Sequence, residues 1–166
     1  PLSLANASQD ASGWVFEVGT SHPGEIAPLT QMVRPDLAML LNVHNAHIEN
    51  FPSRAALIEE KCAIFSTLPE DGMRVSHDEL ELPGYRFGLR LDSHAHIVAL
   101  EGNTLHLKLF GEIVKAYVPG GGAHRALTLA ACLLAAKLLD ADLTAAAALS
   151  HDLVPAGRGN IRHKAG

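Results

Sequence analysis

Glu17 and His47 carry side chains that could bind a divalent cation. Glu17 lies inside the apolar run GWVFEV, and a buried carboxylate destabilises a fold by several kcal/mol unless it is paired or binds a cation. His47 ends the polar cluster HNAH after a second apolar run, and histidine is the commonest metal ligand. The alternatives for Glu17 are a strand-end carboxylate that reaches solvent or a buried salt bridge, and for His47 an ordinary loop histidine.

Other patterns that could carry chemistry have a plain structural explanation. Lys61 stands beside Glu59 and Glu60 on a predicted helix, where a solvated lysine is the ordinary interpretation. The three glycines at 120–122 precede an Ala-rich segment and could present backbone N–H groups to an anion, although such a run more often forms a turn. The sequence contains no GxxxxGK[ST], HExxH or CxxC pattern, so it indicates neither a P-loop nor a zinc site.

The first half of the chain alternates predicted strands and helices. We expect a buried strand at 13–18, a helix at 26–33 closed by Arg34-Pro35, a buried strand at 37–43, a helix at 53–68 capped by Ser53, a turn at 69–72 and a strand at 73–75. This rhythm predicts an α/β fold with a parallel sheet flanked by helices, whose ligands bind at the carboxyl ends of the strands. Glu17, Asn42 and His47 are therefore expected to converge.

The second half of the chain has a different pattern of apolar and polar residues. Short alternating segments between 85 and 118 predict a small antiparallel β portion. A helix is expected at 123–139 and the start of another at 144, and the Gly-rich, basic stretch 155–166 is interpreted as a linker.

Composition excludes several classes of function. The net charge of −5 and the pI near 6.0 provide no basic face for nucleic acid. No apolar run is long enough to span a membrane, and the N-terminal segment does not resemble a signal peptide. Cys62 and Cys132 are expected to be buried and unpaired, which fits a reducing compartment.

Several motifs resemble, in order and spacing, the central domain of the Mur ligases. FEVGTSHPGEI is similar to the family pattern E-x-G-x-x-x-x-G-E-I, and NVHNAHIENF is similar to N-x-x-x-A-H-x-E-x-F. KCAIF resembles the lysine segment K-x-E-I-F, VPGGGAH stands before an Ala-rich helix, and PAGRG lies near the end. The resemblance covers nearly the whole chain, and the forms HPGEI and AHIENF are most similar to the branch that adds D-alanyl-D-alanine.

The resemblance implies a cytoplasmic, ATP-dependent ligase of peptidoglycan precursor synthesis. ATP would phosphorylate the terminal carboxylate of UDP-N-acetylmuramoyl-tripeptide, and D-alanyl-D-alanine would attack the acyl phosphate to form an amide, ADP and phosphate. Glu17 would hold one Mg²⁺, His47 a second, and Lys61, carbamylated by CO₂, would help to hold that second ion. His22 and Asn42 would lie near the acceptor substrate or the metals.

The residues that the resemblance places near the nucleotide depart from the family pattern. His124, Arg125, Thr128 and Arg158 would lie near the nucleotide. The family pattern G-x-H-N-x-x-N is GAHRALT in this chain, so Arg125 and Thr128 replace two asparagines, and adenine recognition is in question.

The resemblance also implies domain boundaries. It predicts a partial central domain at 1–154, lacking the strand and phosphate loop G-T-x-G-K-[ST], and a linker at 155–166 toward a C-terminal domain. This chain alone is then expected not to ligate, and the edge of a sheet without its first strand could pair in a homodimer. The alternative function is a non-catalytic Mur-ligase-like module that binds a partner or a nucleotide sugar. A third is the superfamily member that adds glutamate to folate.

Overall fold

The chain forms two compact units, Pro1–Arg74 and Val75–Gly166. The computed structural model describes residues 2–45 and 47–148, and these residues contain six β-strands and five α-helices, a mixed α/β fold. The predicted linker 155–166 lies outside the described residues. No helix in the described ranges is long and apolar enough to cross a membrane.

The first unit contains the predicted helix at 26–33 and shorter forms of the predicted helix at 53–68 and of the predicted strand at 37–43. Its elements are α1 Leu2–Ala5, α2 Ile26–Val33, β1 Leu37–Leu40 and α3 Arg54–Cys62, with 3-10 helices at Ile48–Asn50 and Ala63–Phe65. Its buried core consists of apolar side chains from α2, β1, α3, the 3-10 helix Ala63–Phe65 and the connecting segments: Ile26, Ala38, Leu40, Val43, Phe51, Leu57 and Phe65. The predicted α2 is confirmed over its whole length, and β1 is shorter than the predicted strand.

The ends of α2 and α3 follow local sequence signals. The Ser53 hydroxyl accepts a hydrogen bond from the Ala56 N–H at 3.1 Å, which satisfies one of the free donors at the start of α3. Arg34 ends α2 in the left-handed conformation with φ 48°, and its N–H donates to the Thr30 carbonyl at 2.8 Å. The predicted cap of α3 and the predicted end of α2 are therefore confirmed.

The predicted buried strand at 13–18 is wrong. The structure assigns no strand there, and the side chains of Trp14, Val15 and Glu17 are exposed. The indole N–H of Trp14 donates to the Ser8 carbonyl at 2.9 Å. An apolar run indicates a tendency to be buried, but a strand also needs a neighbouring strand for its hydrogen bonds, and in the described residues this segment has none.

The second unit is built on strands in two kinds of pairing. Its elements are β2 Met73–His77, which begins at the end of the first unit, β3 Tyr85–Gly88, β4 Ala95–Glu101, β5 Thr104–Leu109, β6 Glu112–Tyr117, α4 Ala123–Leu138 and α5 Leu143–Ala147. β3 pairs in parallel with β2 and with β4, whereas the β4–β5 and β5–β6 pairs are antiparallel. The predicted antiparallel portion is confirmed for β4 to β6 and wrong for β3, because alternation shows a half-buried strand but not its direction.

Helix α4 covers one face of this sheet by packing on β3, β4 and β5. It buries small and medium apolar side chains: Ala126, Leu129, Ala130, Ala131, Leu133, Leu134 and Ala135. Cys132 points away from this face and is exposed, while Cys62 on α3 is half-buried, and both are free thiols. The expected burial of Cys132 is therefore wrong, because a helix on a sheet buries only one stripe.

A buried carboxylate closes the connection between β3 and β4. Asp78 is 1% exposed, and its Oδ2 accepts from the Arg90 N–H at 2.7 Å and the Ser93 hydroxyl at 3.0 Å. Gly88 lies directly against this carboxylate, since a Cβ built at Gly88 would come within 2.3 Å of Asp78. Its φ of 149° also lies in a region that residues with a side chain rarely adopt.

We predict that Gly88→Ala destabilises the protein by about 3 kcal/mol, because a methyl group would collide with Asp78 in an unfavourable backbone conformation. Gly102→Ala is the matched control: Gly102 also has a positive φ, 59°, but has open space around its Cβ position. That control is expected to cost about 1 kcal/mol. Chemical denaturation measures both, and equal destabilisation by the two changes would contradict the packing argument.

Candidate functional site

The segment from Thr20 to Glu25, here called the His22 loop, is organised by one carboxylate. Glu25 Oε2 accepts hydrogen bonds from the Ser21 N–H at 2.7 Å, from the His22 N–H at 3.0 Å and from the Thr20 hydroxyl at 3.1 Å. The His22 imidazole is exposed, with its Nδ1 3.6 Å from Glu25 Oε1. The loop therefore holds a fixed backbone around a solvent-facing imidazole.

The same hydrogen bonds favour the ionised form of the Glu25 carboxylate. The pKa of Glu25 is lowered from 4.5 to about 2, mainly by the Ser21 N–H and then by the His22 N–H, because both donors stabilise the ionised carboxylate. The Thr20 hydroxyl and the nearby His22 imidazole contribute in the same direction, and desolvation of the carboxylate opposes them. Glu25 is thus an anion at neutral pH whose Oε2 accepts from two backbone N–H groups, while the Thr20 hydroxyl lies between this oxygen at 3.1 Å and the His22 carbonyl at 2.7 Å.

A second carboxylate joins this loop to α3. Glu60 Oε2 accepts from the Gly24 N–H at 2.7 Å, and Glu60 Oε1 accepts from the Ile26 N–H at 2.8 Å. Ile26 is the first residue of α2, whose N-terminal N–H groups have no partner within the helix. A carboxylate at this position also interacts favourably with the helix dipole.

A third contact joins the loop to the 3-10 helix Ile48–Asn50. The Asn50 side-chain amide donates to the Ser21 carbonyl at 2.9 Å. His47 directly precedes this 3-10 helix with φ 61°, and its carbonyl accepts from the Asn50 N–H at 3.0 Å. The His47 side chain is exposed, so the backbone is fixed while the imidazole faces solvent.

Lys61 lies in the last turn of α3, immediately after Glu60, and is half-buried. Its ammonium group forms no ion pair with any residue in the described ranges. The neighbouring Glu59 is exposed. Lys61 is therefore not the fully solvated surface lysine of the ordinary interpretation, because part of its side chain is buried.

The first unit links three of the predicted site segments through hydrogen bonds. Asn50 and Glu60 connect the His22 loop to the segment of His47 and to the helix of Lys61. The structure does not link the other two predicted residues in this way. Within the described ranges, the side chains of Glu17 and Asn42 are exposed and make no hydrogen bond.

Glu17 lies instead along a shallow, mostly apolar groove of the first unit. The groove is formed by residues of α1, of the segment 16–18 and of α2: Ser3, Leu4, Phe16, Glu17, Val18, Leu29, Met32 and Val33. The expectation that Glu17 is a buried carboxylate is wrong, because the run around it forms no strand. An exposed carboxylate remains able to bind a cation.

Sequence reasoning missed the residues that shape the loop: Glu25, Asn50 and Glu60. The position of Glu25 just before a helix was a usable signal, since acidic residues are favoured near helix N-termini. Glu60 gave no local signal, because its partner Ile26 is 34 residues away. Hydrogen bonds of that span depend on the tertiary fold.

The predicted nucleotide residues lie in the second unit, in the first turns of α4. His124 is exposed, Arg125 Nη1 donates to the Gly120 carbonyl at 2.7 Å, and the Thr128 hydroxyl donates to the His124 carbonyl at 3.0 Å. The glycines at 120–122 all have positive φ, so they form a tight turn before α4. Arg158 lies outside the described residues.

The donor set of the first unit is compatible with magnesium but not with a closed metal cage. The described ranges contain no cluster of three or more histidine, cysteine, aspartate or glutamate side chains. Mg²⁺ usually keeps several waters and binds one or two carboxylates together with substrate phosphates. The exposed Glu17 carboxylate is an oxygen donor of the kind that Mg²⁺ prefers, and the His47 imidazole and the Lys61 amine are the other candidate groups of this unit.

Two solved structures define the class of protein to which this fold belongs, the central α/β domain of MurF ligases. MurF from Acinetobacter baumannii has a TM-score of 0.77 at 20% identity, covering 91% of this chain and 36% of that one, and this likeness concerns the fold. MurF from Thermotoga maritima, solved in complex with ADP, has a TM-score of 0.75 at 28% identity, covering 89% of this chain and 38% of that one.

The sequence comparisons give the family. The profile of the Mur ligase middle domain matches residues 1–83, which is half of the chain, and the chain therefore belongs to the Mur ligase family. The UDP-N-acetylmuramoyl-tripeptide–D-alanyl-D-alanine ligase of Rickettsia prowazekii is 26% identical over 96% of this chain, and that of Escherichia coli strain K12 is 28% identical over 98%. The chain spans 40% and 38% of the length of these relatives.

We predict that the His22 loop keeps its order well below the ordinary pKa of a glutamate and loses it near pH 2. The folded-state pKa of Glu25 is depressed from 4.5 to about 2, so its contribution is fully present above pH 4.5 and disappears as pH falls through about 2. Carboxyl and amide NMR titrations of Glu25, Ser21 and His22 measure this. Glu25→Gln should abolish the transition, and a Glu25 titration midpoint near 4.5 would contradict the hydrogen-bonded loop.

Proposed function

We propose that this chain is the middle-domain part of an ATP-dependent Mur ligase of peptidoglycan precursor synthesis. The whole protein would act in the cytoplasm, joining D-alanyl-D-alanine to UDP-N-acetylmuramoyl-tripeptide. The observation that carries the proposal is the linkage of the His22 loop to the segments of His47 and Lys61. These three segments contain the motifs HPGEI, AHIENF and KCAIF, and relatives bearing that ligase name align over nearly the whole chain.

The reaction requires two transfers. A carboxylate oxygen of the tripeptide substrate attacks the γ-phosphorus of ATP, and the bond to ADP breaks to give an acyl phosphate. The amine of D-alanyl-D-alanine then attacks the acyl carbon, loses a proton, and the tetrahedral intermediate collapses to an amide and phosphate. Such steps depend on positioned charges more than on covalent chemistry by the protein.

The roles of the first-unit residues follow from their chemistry. Glu17 would bind Mg²⁺ through its carboxylate, and His47 would bind a second Mg²⁺ through its imidazole. The neutral amine of Lys61 would attack CO₂, forming an N–C bond and releasing a proton, which replaces a cation with a carbamate anion. The bound ions would neutralise negative charge on the phosphates. The absence of an ion pair at Lys61 in the described ranges supports this use of its amine.

The remaining predicted residues have supporting roles in this proposal. His22, exposed on its ordered loop, and Asn42, exposed two residues after β1, would contact the acceptor substrate or the metals. His124 at the start of α4 would contact the nucleotide, and Arg158 retains the same predicted role.

One observation favours a second candidate, a Mur-ligase-like module that binds a nucleotide sugar without turnover. Arg125 and Thr128, which stand where the family pattern has asparagines, both donate hydrogen bonds to nearby backbone carbonyls. Side chains engaged with the turn at 120–122 and with α4 are less available to read a purine base. Retained binding of the UDP-sugar peptide together with absent ATP binding would favour this second candidate.

We predict that the chain binds Mg²⁺–ATP in bicarbonate buffer and that Glu17→Ala or His47→Ala weakens binding at least tenfold, or about 1.4 kcal/mol. Isothermal titration calorimetry measures the affinity, and native mass spectrometry would detect one added CO₂ that Lys61→Arg abolishes.

The control for this experiment is Glu70→Ala, which removes an exposed carboxylate from the turn 69–72 of the same unit. It should bind Mg²⁺–ATP like the unaltered chain. Folded protein that binds no Mg²⁺–ATP, or equal loss of affinity in the Glu70 variant, would contradict the assigned metal ligands.

A further inference from the structure

Glu60 uses both of its carboxylate oxygens to hold backbone N–H groups of another segment. Oε2 accepts from Gly24 at 2.7 Å and Oε1 from Ile26 at 2.8 Å. Hydrogen bonds to an ionised acceptor are roughly twice as strong as neutral ones. The two bonds also fix orientation, since a carboxylate held at both oxygens cannot rotate freely about its last bond.

Glu60 is not a charge partner of its neighbour Lys61. Successive residues of an α-helix point about 100° apart, and in α3 the three residues of the sequence EEK have different environments. Glu59 is exposed, Glu60 is half-buried against the His22 loop, and Lys61 is half-buried without an ion pair in the described ranges. The helix turn that carries Lys61 is therefore tied to the loop that carries His22, while the lysine amine pairs with no carboxylate among residues 2–45 and 47–148.

Hydrogen bonds of Glu25 and Asn50 also restrain the His22 loop that Glu60 holds. Glu25 fixes the loop internally, and Asn50 donates to the Ser21 carbonyl at 2.9 Å. The internal bonds give the loop a defined shape, Glu60 sets its position along α3, and Asn50 sets its position relative to the segment of His47. Removing Glu60 would free one end of the loop without unfolding the core, because Glu60 itself contributes no core side chain.

We propose that Glu60 is a positioning residue that fixes the His22 loop relative to Lys61, so that the first unit is already arranged to bind Mg²⁺ and nucleotide phosphate. This inference rests on the proposed function. Glu60 would act through the loop backbone and would not touch the metal or substrate, since its oxygens are occupied by Gly24 and Ile26. Affinity gained in this way comes from ordering the site before the ligand arrives.

The test compares Glu60→Ala with Glu59→Ala, which removes the adjacent, exposed carboxylate of the same helix. Glu60→Gln is the conservative variant, since its amide oxygen can still accept one of the two hydrogen bonds. Three quantities are measured for each: amide hydrogen exchange at Gly24 and Ile26, the dissociation constant for Mg²⁺–ATP, and the denaturant midpoint. The Glu60→Ala variant should lose amide protection and bind Mg²⁺–ATP about tenfold more weakly. Glu60→Gln should be intermediate, and Glu59→Ala should stay within about twofold of the unaltered chain.

The outcomes separate this inference from the proposed function. If the unaltered chain binds Mg²⁺–ATP and Glu60→Ala binds it equally well, the positioning role is overturned while the proposed function stands. Protection at Gly24 and Ile26 that survives Glu60→Ala would overturn it as well. If the unaltered chain binds no Mg²⁺–ATP, the proposed function fails and the role of Glu60 in ligand binding fails with it. A denaturant midpoint that falls in Glu60→Ala without a change in affinity would assign Glu60 to stability alone.

Discussion

The carboxylate of Glu60 at the start of α2 is the interaction on which the candidate site depends. It satisfies the Ile26 N–H, which has no partner within α2, and the Gly24 N–H of the loop just before that helix. Because Glu60 belongs to α3, the same bonds that complete α2 also tie the His22 loop to the helix that carries Lys61. A change at Glu60 is therefore expected to affect both the start of α2 and the link between these two candidate segments.

Local signals in the sequence predicted the elements of the first unit well, but not their mutual arrangement. Helix α2 and the Ser53 cap of α3 were predicted correctly, because periodicity and capping are properties of neighbouring residues. The strand at 13–18 failed, since its hydrogen bonds would have to come from a partner strand that no local pattern reveals. Glu60 was missed for a related reason: its contact with Ile26 spans 34 residues.

Some of the motifs that the chain shares with the Mur ligases have an observed structural role, and others do not. The sequence HPGEI now has a physical account, because Glu25 orders the loop and the Gly24 and Ile26 N–H groups bind Glu60. The exchange of asparagine for Arg125 also has one, since its guanidinium donates to the Gly120 carbonyl. The role of Glu17 still rests on the resemblance, because its exposed carboxylate makes no hydrogen bond within the described ranges.

Paramagnetic NMR with Mn²⁺ in place of Mg²⁺ tests the central claim most directly, namely that separate segments of the first unit supply the ligands of the two proposed Mg²⁺ ions. Mn²⁺ has similar preferences for oxygen and nitrogen ligands and broadens the signals of nearby nuclei. At substoichiometric Mn²⁺ with ATP, we expect signals of Glu17, His22, His47 and Lys61 to broaden together. Broadening that is absent, or that centres on carboxylates elsewhere in the chain, would contradict the account.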